Sequence, residues 1–163
     1  MRSGKINYAG VGVAVGGLFG VLGVYADWFK FTYHTSGGSL TATLSGTADW
    51  TGQVAVVAGF AALLGGAAYV LLDSDLRRVV GPFMGAASAV LLVMAVFGAI
   101  HARDVAVPVV GVGGLRGVTA SWGIGLLVTF VGSVVGFVGS MLAINEKPEP
   151  GVVATDAAET TAA

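Results

Sequence analysis

The chain has 163 residues, of which 55% are hydrophobic and only 10% charged, and its mean hydropathy is +0.86. A soluble domain carries about a quarter charged residues, so this chain has too little charge to cover a water-facing surface. A formal net charge of −1 offers no basic field for nucleic acid, and the lack of cysteine excludes disulfides and thiolate metal sites.

In chain order, the first apolar stretch is Tyr8–Tyr25, preceded by the basic residues Arg2 and Lys5. Basic residues before an apolar core, with Val24-Tyr-Ala26 ahead of Asp27, also fit a secretory signal peptide. The run is longer than the usual signal core of about 7–15 residues, and a retained span is the primary reading. Three further stretches, Thr51–Leu72, Val79–Ile100 and Ser121–Ile144, likewise approach the roughly 20 residues needed to cross hydrocarbon. No Asp, Glu, Lys, Arg or His lies within any of the four.

The 27 glycines fall largely inside these runs, where small residues let helix backbones approach closely. Gly12, Gly16, Gly20 and Gly23 mark one face of the first span, and Gly10 and Gly17 a second face, read as the seat of a partner helix. Gly52, Gly59 and Gly66 stripe the second span, Gly81 and Gly85 the third, and Gly125, Gly132 and Gly136 the fourth. Of these, Gly12, Gly16, Gly20, Gly59, Gly66, Gly85, Gly132 and Gly136 are assigned to packing within the bundle. The second and fourth spans open alike, with Asp49-Trp50-Thr-Gly52 and Ser121-Trp122-Gly123.

Between the first two spans, Phe29-Lys-Phe31-Thr-Tyr33-His-Thr35 alternates apolar and polar residues, the period of a half-buried strand. Ser36-Gly37-Gly38-Ser39 supplies a turn and Leu40–Ser45 alternates again, so a β-hairpin is expected, with Phe29, Phe31 and Tyr33 on one face. Between the last two spans, Val105–Val112 is expected to add an edge strand, since Pro108 cannot donate to an inner ladder. The fold class is thus an all-α membrane protein: a four-transmembrane-helix bundle, residues 1–144, with a small extracytoplasmic β-hairpin or sheet. The tail, 145–163, has little to bury and is expected to be disordered in the cytoplasm.

Arg2, Lys5, Arg77, Arg78 and Lys147 flank one side of the spans, and Lys30, Arg103 and Arg116 the other. The bias, sharpened by the Asp73-Ser-Asp-Leu-Arg77-Arg78 turn, predicts a cell-membrane protein with both termini cytoplasmic. Trp28, Trp50 and Trp122 fall at the opposite ends of the spans, as an interfacial belt would place them. Trp28, Phe29, Phe31, Tyr33 and Trp50 form the expected outer interaction surface. Arg77 and Arg78 are the expected cytoplasmic docking point, or a contact with anionic lipid heads.

Four spans, inner termini and a β-rich first outer loop flanked by Trp28 and Trp50 resemble the claudin-type architecture. The first-loop signature of that family, a tryptophan followed by Gly-Leu-Trp and two cysteines, is missing, so a paracellular-barrier function is not carried over. The Gly/Ala/Val-rich style is also similar to that of small actinobacterial membrane proteins, some of them accessory subunits of mammalian-cell-entry-type lipid importers.

Few residues invite chemistry. Gly111-Val-Gly-Gly-Leu-Arg-Gly117 lacks the Gly-Lys-Ser/Thr ending of a phosphate loop and reads as a flexible loop. His34, Asp49, His101 and Asp104 share the outer side without any compact ligand spacing, so no metal or cofactor is assigned. Pumps and ion-coupled transporters need ionisable groups at membrane depth, whereas these spans offer Gln53, Tyr69, Ser88, Thr129, Ser133 and Ser140. An intramembrane hydrolase would need a carboxylate dyad, a Ser-Lys pair or a metal motif. By elimination the expected function is a non-enzymatic accessory or assembly subunit of a larger envelope complex, a lipid transport system being the candidate complex, with membrane lipids and other membrane subunits as partners. The alternatives are a small homo-oligomeric channel or lipid carrier, and an outer-face ligand sensor.

Overall fold

A computed structural model describes residues 7–35, 37–72, 74–105 and 115–145. Helix α1 spans Tyr8–Tyr25, and strands β1 (Asp27–Thr35) and β2 (Gly38–Ser45) form the expected hairpin. A single 3-10 turn, Gly46–Ala48, leads into α2 (Trp50–Leu71). Then come α3 (Ser74–Val105), β3 (Leu115–Trp122) and α4 (Ile124–Asn145). All four helices are long and apolar enough to cross a bilayer, so the chain is a multi-pass membrane bundle. Of the strand expected at Val105–Val112, Val105 ends α3 and residues 106–112 lie outside the described residues; the third described strand is Leu115–Trp122. Ser121 and Trp122 therefore belong to the sheet, and the fourth helix starts at Ile124. Helix α3, with 32 residues, runs about 48 Å. That is longer than the thickness of a hydrocarbon core, about 30 Å. The tail beyond Asn145 lies outside the described residues.

The helices form a ring in which α1 packs on α2 and α4, α2 on α3, and α3 on α4. Lipid is as apolar as leucine and does not drive helices together, so close backbone approach must. The burial pattern follows that rule. In α4 the inward residues are Gly125, Thr129, Gly132, Ser133, Gly136, Gly139, Ser140 and Ala143, with Leu126 the one large apolar side chain. Phe130, Val131, Val138 and Leu142 point outward.

At α1, the Asn7 side chain accepts from the amides of Ala9 (3.1 Å) and Gly10 (3.2 Å), satisfying two donors that have no partner inside the helix. At the end of α2, Arg77 Nε donates to Leu72 O at 2.9 Å, and its guanidinium lies 5.5 Å from the centre of the Tyr69 ring.

The sheet is antiparallel, with order β2-β1-β3. It meets the bundle where α1 and α3 end and α2 and α4 begin. The core falls into two clusters. One, at this sheet end, contains Val24, Trp28, Phe29, Phe31, Ala55, Ala58, Leu91 and Leu126; the other, at the far end, is built around Val13, Tyr69 and Met84.

Candidate functional site

Strict alternation through Phe29, Phe31 and Tyr33 would turn Trp28 toward the opposite face of β1. The pairing of β1 with β2 instead shifts register between Asp27 and Phe29, a bulge. A bulge inserts one residue and re-aims a side chain, so the neighbours Trp28 and Phe29 both enter the core, at 0% and 3% exposure. The Trp28 indole N–H donates to Gly23 O at 3.1 Å. Its ring stands edge-on to Phe29 at 6.3 Å between centroids. It lies so close to the backbone at Gly46 and Gly98 that a Cβ there would come within 2.6 and 2.7 Å of it.

These positions correct the expected outer interaction surface. Trp28, Phe29 and Phe31 are buried and Tyr33 is half-buried; of the five residues, only Trp50 is exposed. The tryptophan belt is corrected in the same way. Trp50 and Trp122 are about half exposed at the sheet end, while Trp28 is a core plug.

The glycines assigned to helix packing differ in how closely a neighbouring helix approaches them. A Cβ on Gly16 would sit 2.5 Å from Gly132 O and overlap Gly136 N. On Gly66 it would press on Ala14 and Gly10 O, on Gly59 against Val21, and on Gly20 into Leu91. Gly12 and Gly85 are looser, with nearest atoms at 3.7 and 3.6 Å. The partner-helix face is corrected: Gly10 packs against Tyr69 and Val70, and Gly17 against Leu63 and Gly59 O, all on α2. Helix α1 lies between α2 and α4, so both of its glycine faces are consumed inside the bundle. The two similar span openings also have a common role, because a side chain on Gly52 would overlap Gly46 O and one on Gly123 would overlap Asp27 O.

Among the polar side chains, Ser88, Thr129, Ser133 and Ser140 are fully buried. Those on α4 donate back to their own helix: Thr129 to Gly125 O (2.9 Å), Ser133 to Phe130 O and Ser140 to Phe137 O (both 2.7 Å). Tyr69 donates across the bundle to Ala143 O at 3.1 Å. Ser88 Oγ faces Gly136 on α4 and has no hydrogen-bond partner among the described residues. Arg77 is committed to Leu72 and Tyr69, which leaves Arg78, exposed on α3, as the part of the expected docking pair open to solvent.

Of the residues weighed for a metal, His34 is exposed on β1, Asp49 accepts from the Thr51 hydroxyl, and His101 lies near the end of α3. The Asp104 side chain lies outside the described residues. No group of three or more His, Asp or Glu converges among the described residues. Of the glycine-rich loop, 111–114 lie outside the described residues, and Leu115–Gly117 begin β3.

A cavity opens on the flank between α3 and α4, near the sheet. Its volume is about 490 Å³, and it is lined by Ala95, Val96, Ala99, Ile100, Trp122, Leu126, Leu127 and Phe130. Ala95 and Ala99 are its small residues; the exposed side chains of Val96, Ile100, Leu127 and Phe130 surround them. The Trp122 indole, which donates to Ala99 O at 3.3 Å, is fixed over α3. No acid, base or nucleophile lines it. Sequence reasoning missed this groove because its residues look like ordinary span residues until α3 and α4 are placed side by side. Four spans and a three-stranded sheet are compatible with the claudin-type topology that the sequence resembles. No protein-family model matches the chain, and no curated protein matches it either.

Proposed function

We propose that the chain is a non-enzymatic accessory subunit of a larger cell-membrane complex, and that it receives a transmembrane helix of its partner in the α3–α4 groove. The sheet then lies on the outer face and both termini in the cytoplasm, the orientation favoured by Arg77 and Arg78 at the far end of the bundle. The observation that carries the reading is the groove itself: about 490 Å³, apolar in its side-chain lining apart from the Trp122 indole N–H, which Ala99 O accepts, and with Ala99 set among exposed bulky residues. That relief suits a helix ridge, since small residues admit a neighbouring backbone and large ones flank it. The glycine seams of α1 with α2 and α4 support the same reading, because close-packed backbones leave little room for a path through the bundle.

Purification from native membranes in mild detergent tests it. The wild-type chain is expected to bring a membrane protein in fixed ratio. Val96→Trp, which fills the groove from an exposed position, is expected to lose that protein while the helical circular dichroism and melting stay the same. Retention of the partner by Val96→Trp refutes groove docking. A second reading, a lipid carrier, is favoured by the groove's lack of charged and hydroxyl side chains; it predicts bound lipid and no protein partner, with the lipid lost in Val96→Trp.

A further inference from the structure

Strand β2 is an edge strand, with β1 its one neighbour in the described sheet. From Gly38 to Leu44 it is exposed, and it contains no charge and no proline. Native edges are usually blunted by lysine, proline or a bulge, because their outward amides and carbonyls are a template for another strand. Here the one irregularity in the β1–β2 ladder lies at the Asp27/Phe29 end, and Ser39 through Leu44 pair in unbroken register with His34 through Phe29.

The sequence of this edge is a palindrome: Ser39-Leu40-Thr41-Ala42-Thr43-Leu44-Ser45 reads the same in both directions about Ala42. We infer that β2 is a homotypic pairing edge, on which β2 of a second copy of this chain lies antiparallel about a two-fold axis through Ala42, joining two three-stranded sheets into one of six. Antiparallel pairing of identical strands about a two-fold axis opposes residue i to its mirror position. Each side chain then meets its own kind: Ala42 opposite Ala42, Thr41 opposite Thr43, Leu40 opposite Leu44, Ser39 opposite Ser45.

The faces agree with this. Tyr33, Phe31 and Phe29 are the β1 partners of Leu40, Ala42 and Leu44, and paired residues share a face of the sheet. The apolar face that packs on the bundle therefore continues onto β2, where Leu40 (67%) and Leu44 (39%) remain exposed. Pairing sets Leu40 of each copy beside Leu44 of the other and sets threonines together on the opposite face, both favourable cross-strand combinations. It also makes roughly six to eight new backbone hydrogen bonds across seven residue pairs. Lys30 and His34 sit one strand away, so no like charges oppose each other across the seam, whereas the other edge, β3, contains Arg116. Two chains held in one bilayer are already concentrated, which lets an interface of this modest size be populated. The inference does not rest on the α3–α4 groove, since the two surfaces share no residue.

Cysteine cross-linking of the full chain in proteoliposomes tests it, with no background because the protein has no cysteine. Ala42→Cys places two thiols across the axis at a Cα separation of about 4.5–5.5 Å, within reach of a disulfide. A mild oxidant is expected to give a disulfide-linked dimer. Leu40→Cys and Leu44→Cys are each expected to stay monomeric alone, but to link to one another when differently tagged copies are mixed. On the Ala42→Cys background, Thr41→Lys with Thr43→Lys is expected to cut the yield about tenfold, while Thr41→Lys with Thr43→Glu restores it, because position 41 of one copy faces position 43 of the other. The inference is overturned if Ala42→Cys remains monomeric. It is equally overturned if Leu40→Cys alone links as well as Ala42→Cys, or if the cross-linked partner is another protein. Val96→Trp is expected to leave the cross-link unchanged, so failure of groove docking and failure of strand pairing are separately visible.

Discussion

Gly12 and Gly16 lie one turn apart on α1, both toward α4, yet substitution to alanine is expected to act on them in opposite directions. At Gly16 a Cβ would sit 2.5 Å from Gly132 O and overlap Gly136 N. Both obstacles are backbone, which no rotamer change can relieve, so α1 and α4 must separate at their closest contact. Overpacking of this kind costs roughly 1–3 kcal/mol. At Gly12 the nearest atom is Gly139 Cα at 3.7 Å, an ordinary contact, and alanine recovers the roughly 0.5–1 kcal/mol that glycine costs a helix. The two variants should therefore differ by roughly 1.5–4 kcal/mol, the sum of these effects, for the same chemical change. Denaturant titration of the full chain in detergent micelles, followed by far-ultraviolet circular dichroism, measures that difference. Equal midpoints for Gly12→Ala and Gly16→Ala would refute the backbone-contact account of the α1–α4 seam.

Two further predictions concern the core. Trp28→Phe removes a buried indole donor from Gly23 O and is expected to cost about 1–3 kcal/mol. In the variant with Trp50→Phe and Trp122→Phe, the remaining Trp28 should emit at short wavelength and resist acrylamide; ready quenching would contradict its burial. Ser88→Ala removes a hydroxyl that has no partner among the described residues. Burying an unpaired polar group costs about 1–3 kcal/mol, so this variant is expected to melt at the same temperature as the wild type or higher. A marked loss of stability would show that Ser88 Oγ bonds to something the described residues do not supply.

The four spans were legible because lipid imposes a length of apolar sequence that water does not. The hairpin was legible because Phe29, Phe31 and Tyr33 keep the period of a half-buried strand. What the sequence hid were departures from period. Trp28 is out of phase with that alternation, and only the bulge brings it inside. In Leu115–Trp122, Val118, Ala120 and Trp122 alternate with Gly117, Thr119 and Ser121, so the strand is readable once Ser121 and Trp122 are detached from the following helix. Gly10 and Gly17 looked spare because a helix at the edge of a bundle needs one small face, whereas α1 packs closely on both α2 and α4. The groove and the lone hydroxyl of Ser88 are properties of pairs of helices, and no single segment encodes them.

The indole of Trp28 joins three parts of the molecule: it is bonded to the end of α1 and wedged against the 3-10 turn at Gly46 and against α3 at Gly98. The hairpin is consequently anchored like a rivet rather than hung from a flexible stalk. Displacing the Trp28 ring would therefore disturb α3 at Gly98, beside the Ala99 that lines the groove.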